Sequence, residues 1–157
     1  MSLIQRENEW ASEIGNIFLS FGDIEFVTLE CLRHFPTEDI YNSTSKLNFK
    51  PRVNLIIEIV NSMGISEKLK NEMTDLLNQA FSMSDKRNLI AHNPLALEVY
   101  EDSEGNYEFA EIIASLRNEK NTISFDGIKQ LAVESSELSE ALHSKFMEVK
   151  NEKEENS

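Results

Sequence analysis

Helix-breaking residues are scarce in this chain of 157 residues, which has only five glycines and three prolines. That scarcity favours long helices over a turn-rich architecture. Cysteine is scarcer still: Cys31 stands alone, so no internal disulfide can form, and its apolar helical setting reads as a buried, inert thiol. No apolar run approaches the roughly 18 residues that would span a bilayer, and the N-terminal residues lack the basic-apolar-small order of a signal peptide. The expectation is a cytoplasmic protein without a membrane partner. Positive charge is also in short supply. Lys and Arg number 15 against 28 Asp and Glu, a net charge of -13 that opposes loose adhesion to nucleic acid or anionic lipid but permits a locally basic cleft. The chain has no glycine-rich phosphate loop, no paired cysteines, no His-Glu-x-x-His and no carboxylates clustered at metal spacing. Neither a metal nor an organic cofactor is expected.

The residues that are present suit a single globular domain, with a hydrophobic fraction of 40% and a charged fraction of 27%. We place it at residues 1–150, with 151–157 as a flexible acidic tail. Trp10, Ile14, Ile17, Phe21, Ile24, Thr28, Cys31 and Phe35 recur at alternating spacings of four and three, the stripe of one long amphipathic helix that Pro36 ends. Gly15 and Gly22, seven apart within it, suggest close approach of another helix, in the same subunit or across a dimer. The connection from Pro36 to Phe49 is long enough to be a lid or binding loop. Pro51 suits the first turn of a second helix that carries Val53, Ile56, Ile57, Val60 and Met63, with Gly64 as a left-handed cap.

Ser66 is placed to cap a third helix, in which Leu69, Met73, Leu76, Ala80, Met83, Arg87 and Ile90 form the expected inward stripe. Segments around Leu97–Tyr100 and Tyr107–Phe109 flank a polar turn and predict a small hairpin. A fourth helix, capped by Ser124 or Asp126, carries Ile128, Leu131, Ser135, Leu138, Leu142, Phe146 and Val149 on one face. The predicted fold is all-α, an antiparallel bundle of four to five helices with a small β-hairpin before the last helix.

Near the end of the third helix lies Arg87-Asn88-Leu89-Ile90-Ala91-His92, which joins a permanent cation, an amide and a titratable imidazole. These groups suit metal-free phosphodiester chemistry, because a guanidinium clamps phosphate oxygens and an imidazole exchanges protons near neutral pH. Asn88 and His92 face each other at i and i+4, so the amide can orient the ring or hold an oxygen beside it. Ser84, Asp85, Asn88 and His92 form a polar strip with Arg87 at its edge. Pro94 puts His92 at or near the helix C-terminus.

An arginine followed by a polar residue, with a histidine five positions after the arginine, resembles the R-x(4-6)-H signature of the HEPN superfamily. Arg87, Asn88 and His92 are the matching residues. The resemblance implies an HEPN-like bundle and metal-independent endoribonuclease activity, often in a toxin or in antiphage defence, with two subunits pairing their motifs across a shared cleft. His92 would then be general base or acid, Arg87 the clamp on the transition state and Asn88 the orienter. The implied partners are a second copy of the chain, an RNA substrate, and an antitoxin or other protein.

Glu25 is a carboxylate among apolar neighbours on the first helix, and it is expected either to reach Arg87 and orient it or to reach solvent. Ser84 and Asp85 are possible supports. Lys46, Lys50, Arg52 and Lys86 are the candidate RNA-binding cations. His34 and His143 read as surface or helix-end residues. The rival expectation is a non-catalytic, HEPN-like interaction or regulatory module, in which Arg87 pairs with an acid and His92 only caps its helix.

Overall fold

The computed structural model describes residues 3–156, with side-chain positions from residue 8 onward. In order along the chain, the elements are helices α1 (Leu3–His34), α2 (Tyr41–Thr44), α3 (Phe49–Ser62) and α4 (Glu67–His92), strands β1 (Leu95–Glu101), β2 (Tyr107–Ala114) and β3 (Thr122–Ser124), and helix α5 (Phe125–Glu155). Most of the protein is helical, and the strands form one small antiparallel sheet.

The stripes on α1 and α5 lie where their periodicity puts them. Trp10, Ile17, Phe21, Ile24, Thr28, Cys31 and Phe35 are buried, with Ile14 packed at the margin, and all seven stripe positions of α5 are buried. These two helices share the most extensive contact in the molecule. Each large aliphatic or aromatic side chain taken from water there contributes about 1.5–3 kcal/mol, so the α1–α5 contact dominates the core. The buried hydroxyls of Thr28 and Ser135 donate to the carbonyls of Glu25 (2.7 Å) and Ala132 (3.0 Å), which offsets their loss of solvent.

The α4 stripe is shifted from its expected register. Leu69, Met73, Ala80 and Ile90 are buried as predicted, but Leu77, Ser84 and Leu89 are buried too, while Leu76 and Met83 are only half-buried. Contact with α3 on one side and α5 on the other widens the buried face beyond a single stripe. Gly64 is not a left-handed cap: α3 ends on an extended Met63 (φ -71°, ψ 151°), and Gly105 alone among the described residues has a positive φ. Pro51 occupies the third helical position of α3, after Phe49 and Lys50, where its missing N–H is still tolerated.

Ser66 does sit at the N-cap of α4, yet its own side chain does not cap the helix. Its amide and its hydroxyl both donate to the Glu152 carboxylate, at 2.6 and 3.2 Å. A carboxylate from α5 therefore neutralises the positive end of α4. Ser124, by contrast, caps α5 directly by accepting from the Gly127 amide at 3.2 Å.

Three further expectations need correction. The connection after Pro36 contains the short helix α2. The expected hairpin is a three-stranded sheet in the order β1-β2-β3, because β3 pairs Ile123 with Ile113 just before α5 begins. The C-terminal residues expected to be flexible continue α5 as far as Glu155. There Lys153 donates to the carbonyls of His34 (2.8 Å) and Pro36 (3.1 Å), and Asn156 donates to that of Gly64 (3.1 Å). Ser157 lies outside the described residues. These links to the ends of α1 and α3 satisfy carbonyls that a helix terminus leaves free. Among the described residues, no helix is long and apolar enough to cross a membrane.

Candidate functional site

The packing of α1 on α3 and α4 gathers an arginine from each of the latter two helices around one carboxylate of the first. Arg87 Nη2 donates to Glu25 Oε1 at 2.6 Å, so Glu25 reaches Arg87. Arg52 also joins, its Nη2 lying 3.7 Å from Glu25 Oε2. That distance makes an ion pair rather than a hydrogen bond.

Aromatic rings floor this arrangement. The Arg87 guanidinium lies 5.2 Å from the Phe21 ring centroid and that of Arg52 lies 5.8 Å from Phe49, while the two rings meet edge-on at 6.0 Å. Both contacts fall within cation–π range. The α1 periodicity explains the pairing, because Phe21 and Glu25 are one turn apart on the same face.

The two arginines differ in how far they are buried. The Arg52 side chain is only 6% exposed, whereas that of Arg87 is 21% exposed and that of Glu25 is 40% exposed. Burial pushes the Arg52 guanidinium below its ordinary pKa, and the negative charge of Glu25 pulls it back up. The Nε atoms of both Arg52 and Arg87 are buried without a hydrogen-bond partner. Glu25 therefore offsets much of the cost of holding two guanidiniums under the surface, and their donor capacity is not exhausted.

Beyond Arg87 the strip opens to solvent. Asp85, Asn88 and His92 are exposed, and none of the hydrogen bonds described for this region involves Asn88 or His92. Asp85 accepts from Lys50 Nζ at 2.7 Å, and that ammonium also sits 4.4 Å from the Phe81 ring centroid. Ser84 leaves the strip: it is buried, and its hydroxyl donates to the Phe81 carbonyl of its own helix at 2.7 Å. Of the four candidate RNA-binding cations, Lys46 and Lys86 are exposed, Lys50 is held by Asp85, and Arg52 is inside. Lys86 faces a groove of about 700 Å³ between α4 and α5, on which Arg87, Asn88 and His92 do not border.

Asn93 is the residue that sequence reasoning overlooked. Its Nδ2 donates to the Leu89 carbonyl at 2.7 Å and its Oδ1 accepts from the Leu116 amide at 2.9 Å. Its backbone is extended (φ -132°, ψ 149°), as the following proline requires. Asn93 thus closes the last turn of α4 and ties it to the segment after β2, which fixes the backbone that carries His92. An asparagine between a helical pattern and a proline is a capping signal that could have found it.

The remaining histidines are remote from this constellation. His34 ends α1 with Nε2 3.3 Å from Glu30, and His143 is exposed on α5. Cys31 is fully buried, and desolvation raises its thiol pKa well above the ordinary value, as suits an unreactive core thiol. Chemically, the site presents an oriented guanidinium beside an exposed amide and imidazole. It can bind an oxyanion and exchange a proton. A scan against protein-family models found no match, and searches of curated proteins and of solved structures likewise returned none.

Proposed function

We propose that this protein is a metal-independent endoribonuclease of the HEPN type, with an HEPN-like antiparallel bundle, that works as a homodimer. The observation that carries this reading is the 2.6 Å Glu25–Arg87 pair, which orients the motif arginine at the edge of the exposed Asn88–His92 strip. In this role Arg87 stabilises the charge that accumulates on the phosphate oxygens, and Asn88 steadies the phosphate or the imidazole. One His92 removes the proton from the ribose 2'-hydroxyl as its oxygen bonds to phosphorus. The other protonates the leaving 5'-oxygen as the P–O bond breaks, giving a 2',3'-cyclic phosphate and a 5'-hydroxyl end.

A single chain has only one histidine in the strip, and the second copy supplies the other. Support for a paired arrangement comes from the outer face of α1, where Phe18, Leu19 and Phe26 are exposed. Gly15 and Gly22 lie between them, and a Cβ at either would meet nothing within 4 Å. Among the described residues no other helix occupies that stripe, so we assign the close approach suggested by the glycines to a second subunit. Phe18 is also about 20 degrees around the helix from Glu25, so a partner seated there borders the arginine site. The resemblance of the motif extends this reading to a toxin or antiphage-defence role.

Purified protein with single-stranded RNA in EDTA should yield fragments with cyclic phosphate ends. His92→Ala should slow cleavage at least ~100-fold, with stability within about 0.5 kcal/mol because the side chain is exposed. Cleavage that persists undiminished in both Arg87→Ala and His92→Ala would overturn the assignment. The second reading, a non-catalytic interaction module, is favoured by one separate observation, the exposure of Leu97, Val99 and Phe109 on one face of the β-sheet. It predicts no cleavage of any RNA and partner binding that survives His92→Ala.

A further inference from the structure

The β1–β2 hairpin has an unusual surface for a small domain. Antiparallel pairing of Leu95 with Ile113, Leu97 with Glu111 and Val99 with Phe109 puts all these side chains on one face. Toward the tip that face stays bare: Leu97 is 59% exposed, Val99 52% and Phe109 64%. Scattered apolar residues on a surface need no explanation, but a contiguous set on one sheet face marks an interaction site.

The sheet also has an open edge. β1 is the outer strand in the order β1-β2-β3, so half of its backbone N–H and C=O groups point away from β2. Outer strands are commonly protected by lysines, prolines or bulges. β1 contains no lysine and no proline, and its register with β2 is unbroken from Leu95 to Glu101.

Charge indicates what can dock there. From Leu95 to Ala114 there is no Lys or Arg, while Glu98, Glu101, Asp102, Glu104 and Glu108 cluster around the distal half. Glu98 and Glu108 lie on the face opposite Leu97 and Val99, beside Tyr100. A strand added to β1 therefore meets Leu95, Leu97 and Val99, with Glu101 at the tip, on one face and Ala96, Glu98 and Tyr100 on the other. RNA, an anionic membrane and a second acidic hairpin are all repelled by this surface.

We propose that β1 and its apolar face dock an extended segment of a partner protein in which apolar and cationic residues alternate, added as a fourth strand. Backbone pairing with β1 supplies affinity. Continuation of the Leu97–Val99 face, with cations beside Glu98 and Glu101 of β1, supplies register and selectivity. The proposal stands whether or not the Arg87 site cleaves RNA.

The test uses the full-length protein and a synthetic peptide of alternating Lys and Val, with a block-ordered peptide of the same composition as control. The alternating peptide should bind at least ~10-fold more tightly than the control at physiological salt, and it should slow hydrogen exchange at β1 amides. Leu97→Ser with Val99→Ser should weaken binding by about 10-fold or more, while urea unfolding verifies that the exposed positions leave the fold intact. Glu98→Lys with Glu101→Lys should abolish binding of the Lys peptide and create binding of a Glu-for-Lys analogue. Equal binding of the two Lys peptides, or protection confined to other acidic helices, would overturn the proposal. So would self-association that the Leu97 and Val99 substitutions abolish, since the occupant would then be a second copy.

Discussion

Around the α1–α4 contact, Arg52, Arg87 and Lys50 are matched by Glu25 and Asp85, and the two arginines are drawn partly or wholly beneath the surface. In the β1–β2 hairpin six carboxylates occur between Leu95 and Ala114 with no cation among them. The first region brings opposite charges from three helices onto an aromatic floor, where each group depends on the others. The second gathers charges of one sign, which neutral donors such as Trp10 for Glu111 and Asn106 for Asp102 hold in place of cations. Net charge alone conceals this contrast, since -13 describes neither the cationic pocket nor the acidic sheet.

Removing the shared carboxylate should break the comparison most severely. Glu25→Ala strands Arg52 inside without its anion, and the expected loss is roughly 3 kcal/mol in urea unfolding. Adding Arg52→Met should restore most of that loss, because a well-packed apolar side chain needs no counter-ion. A loss below ~1 kcal/mol for Glu25→Ala would mean that the charges of the pocket act independently of one another.

A smaller effect is expected at Asn93, whose amide joins the helical region to the sheet region. Asn93→Ala removes both hydrogen bonds and should cost about 1–2 kcal/mol, with faster hydrogen exchange at the end of α4 and at Leu116. Unchanged exchange at Leu116 would show that the two regions are held together by other contacts. On the sheet itself, Phe109→Ser should change stability by no more than about 0.5 kcal/mol, since the ring is mostly exposed, and urea unfolding measures this.

The smallest effect concerns pH at the hairpin tip. The Asp102 carboxylate accepts from the Asn106 side chain (3.0 Å) and from the amides of Asn106 and Glu104 (both 2.8 Å), which together hold its pKa below the ordinary aspartate value. Its contribution is present when the group is ionised and is lost as pH falls through the depressed value. The Glu104 and Asn106 amides should therefore show altered NMR shifts only below about pH 4. A transition at higher pH would contradict the depressed pKa.

Much of the helical framework was legible because its signal is local. The four-and-three spacing on α1 and α5 identifies their buried faces wherever they pack, and Ser124 before α5 has the chemistry of a cap. The α4 stripe was legible only in part, because two neighbouring helices set its buried face. The helical C-terminus was misread because its composition looks solvated, whereas Lys153 and Glu152 meet partners more than 80 residues away. Asn93 carried a readable capping signal, but its second partner, Leu116, comes from a later segment.

By itself the sequence determined the four long helices, the acidic excess and the Arg87-Asn88-x3-His92 spacing, since each depends on residue type or on separations within one helix. Only the tertiary structure decided that Arg52, a candidate RNA-binding cation by its neighbourhood in sequence, lies beneath the surface and shares Glu25 with Arg87. It also decided that Ser84 turns inward and that β3 completes a sheet. The physical reason is that periodicity fixes which side chains share a face of one helix, whereas charge pairing between helices depends on which faces meet. Glu25 and Arg87 are 62 residues apart, and nothing local to either could supply the other.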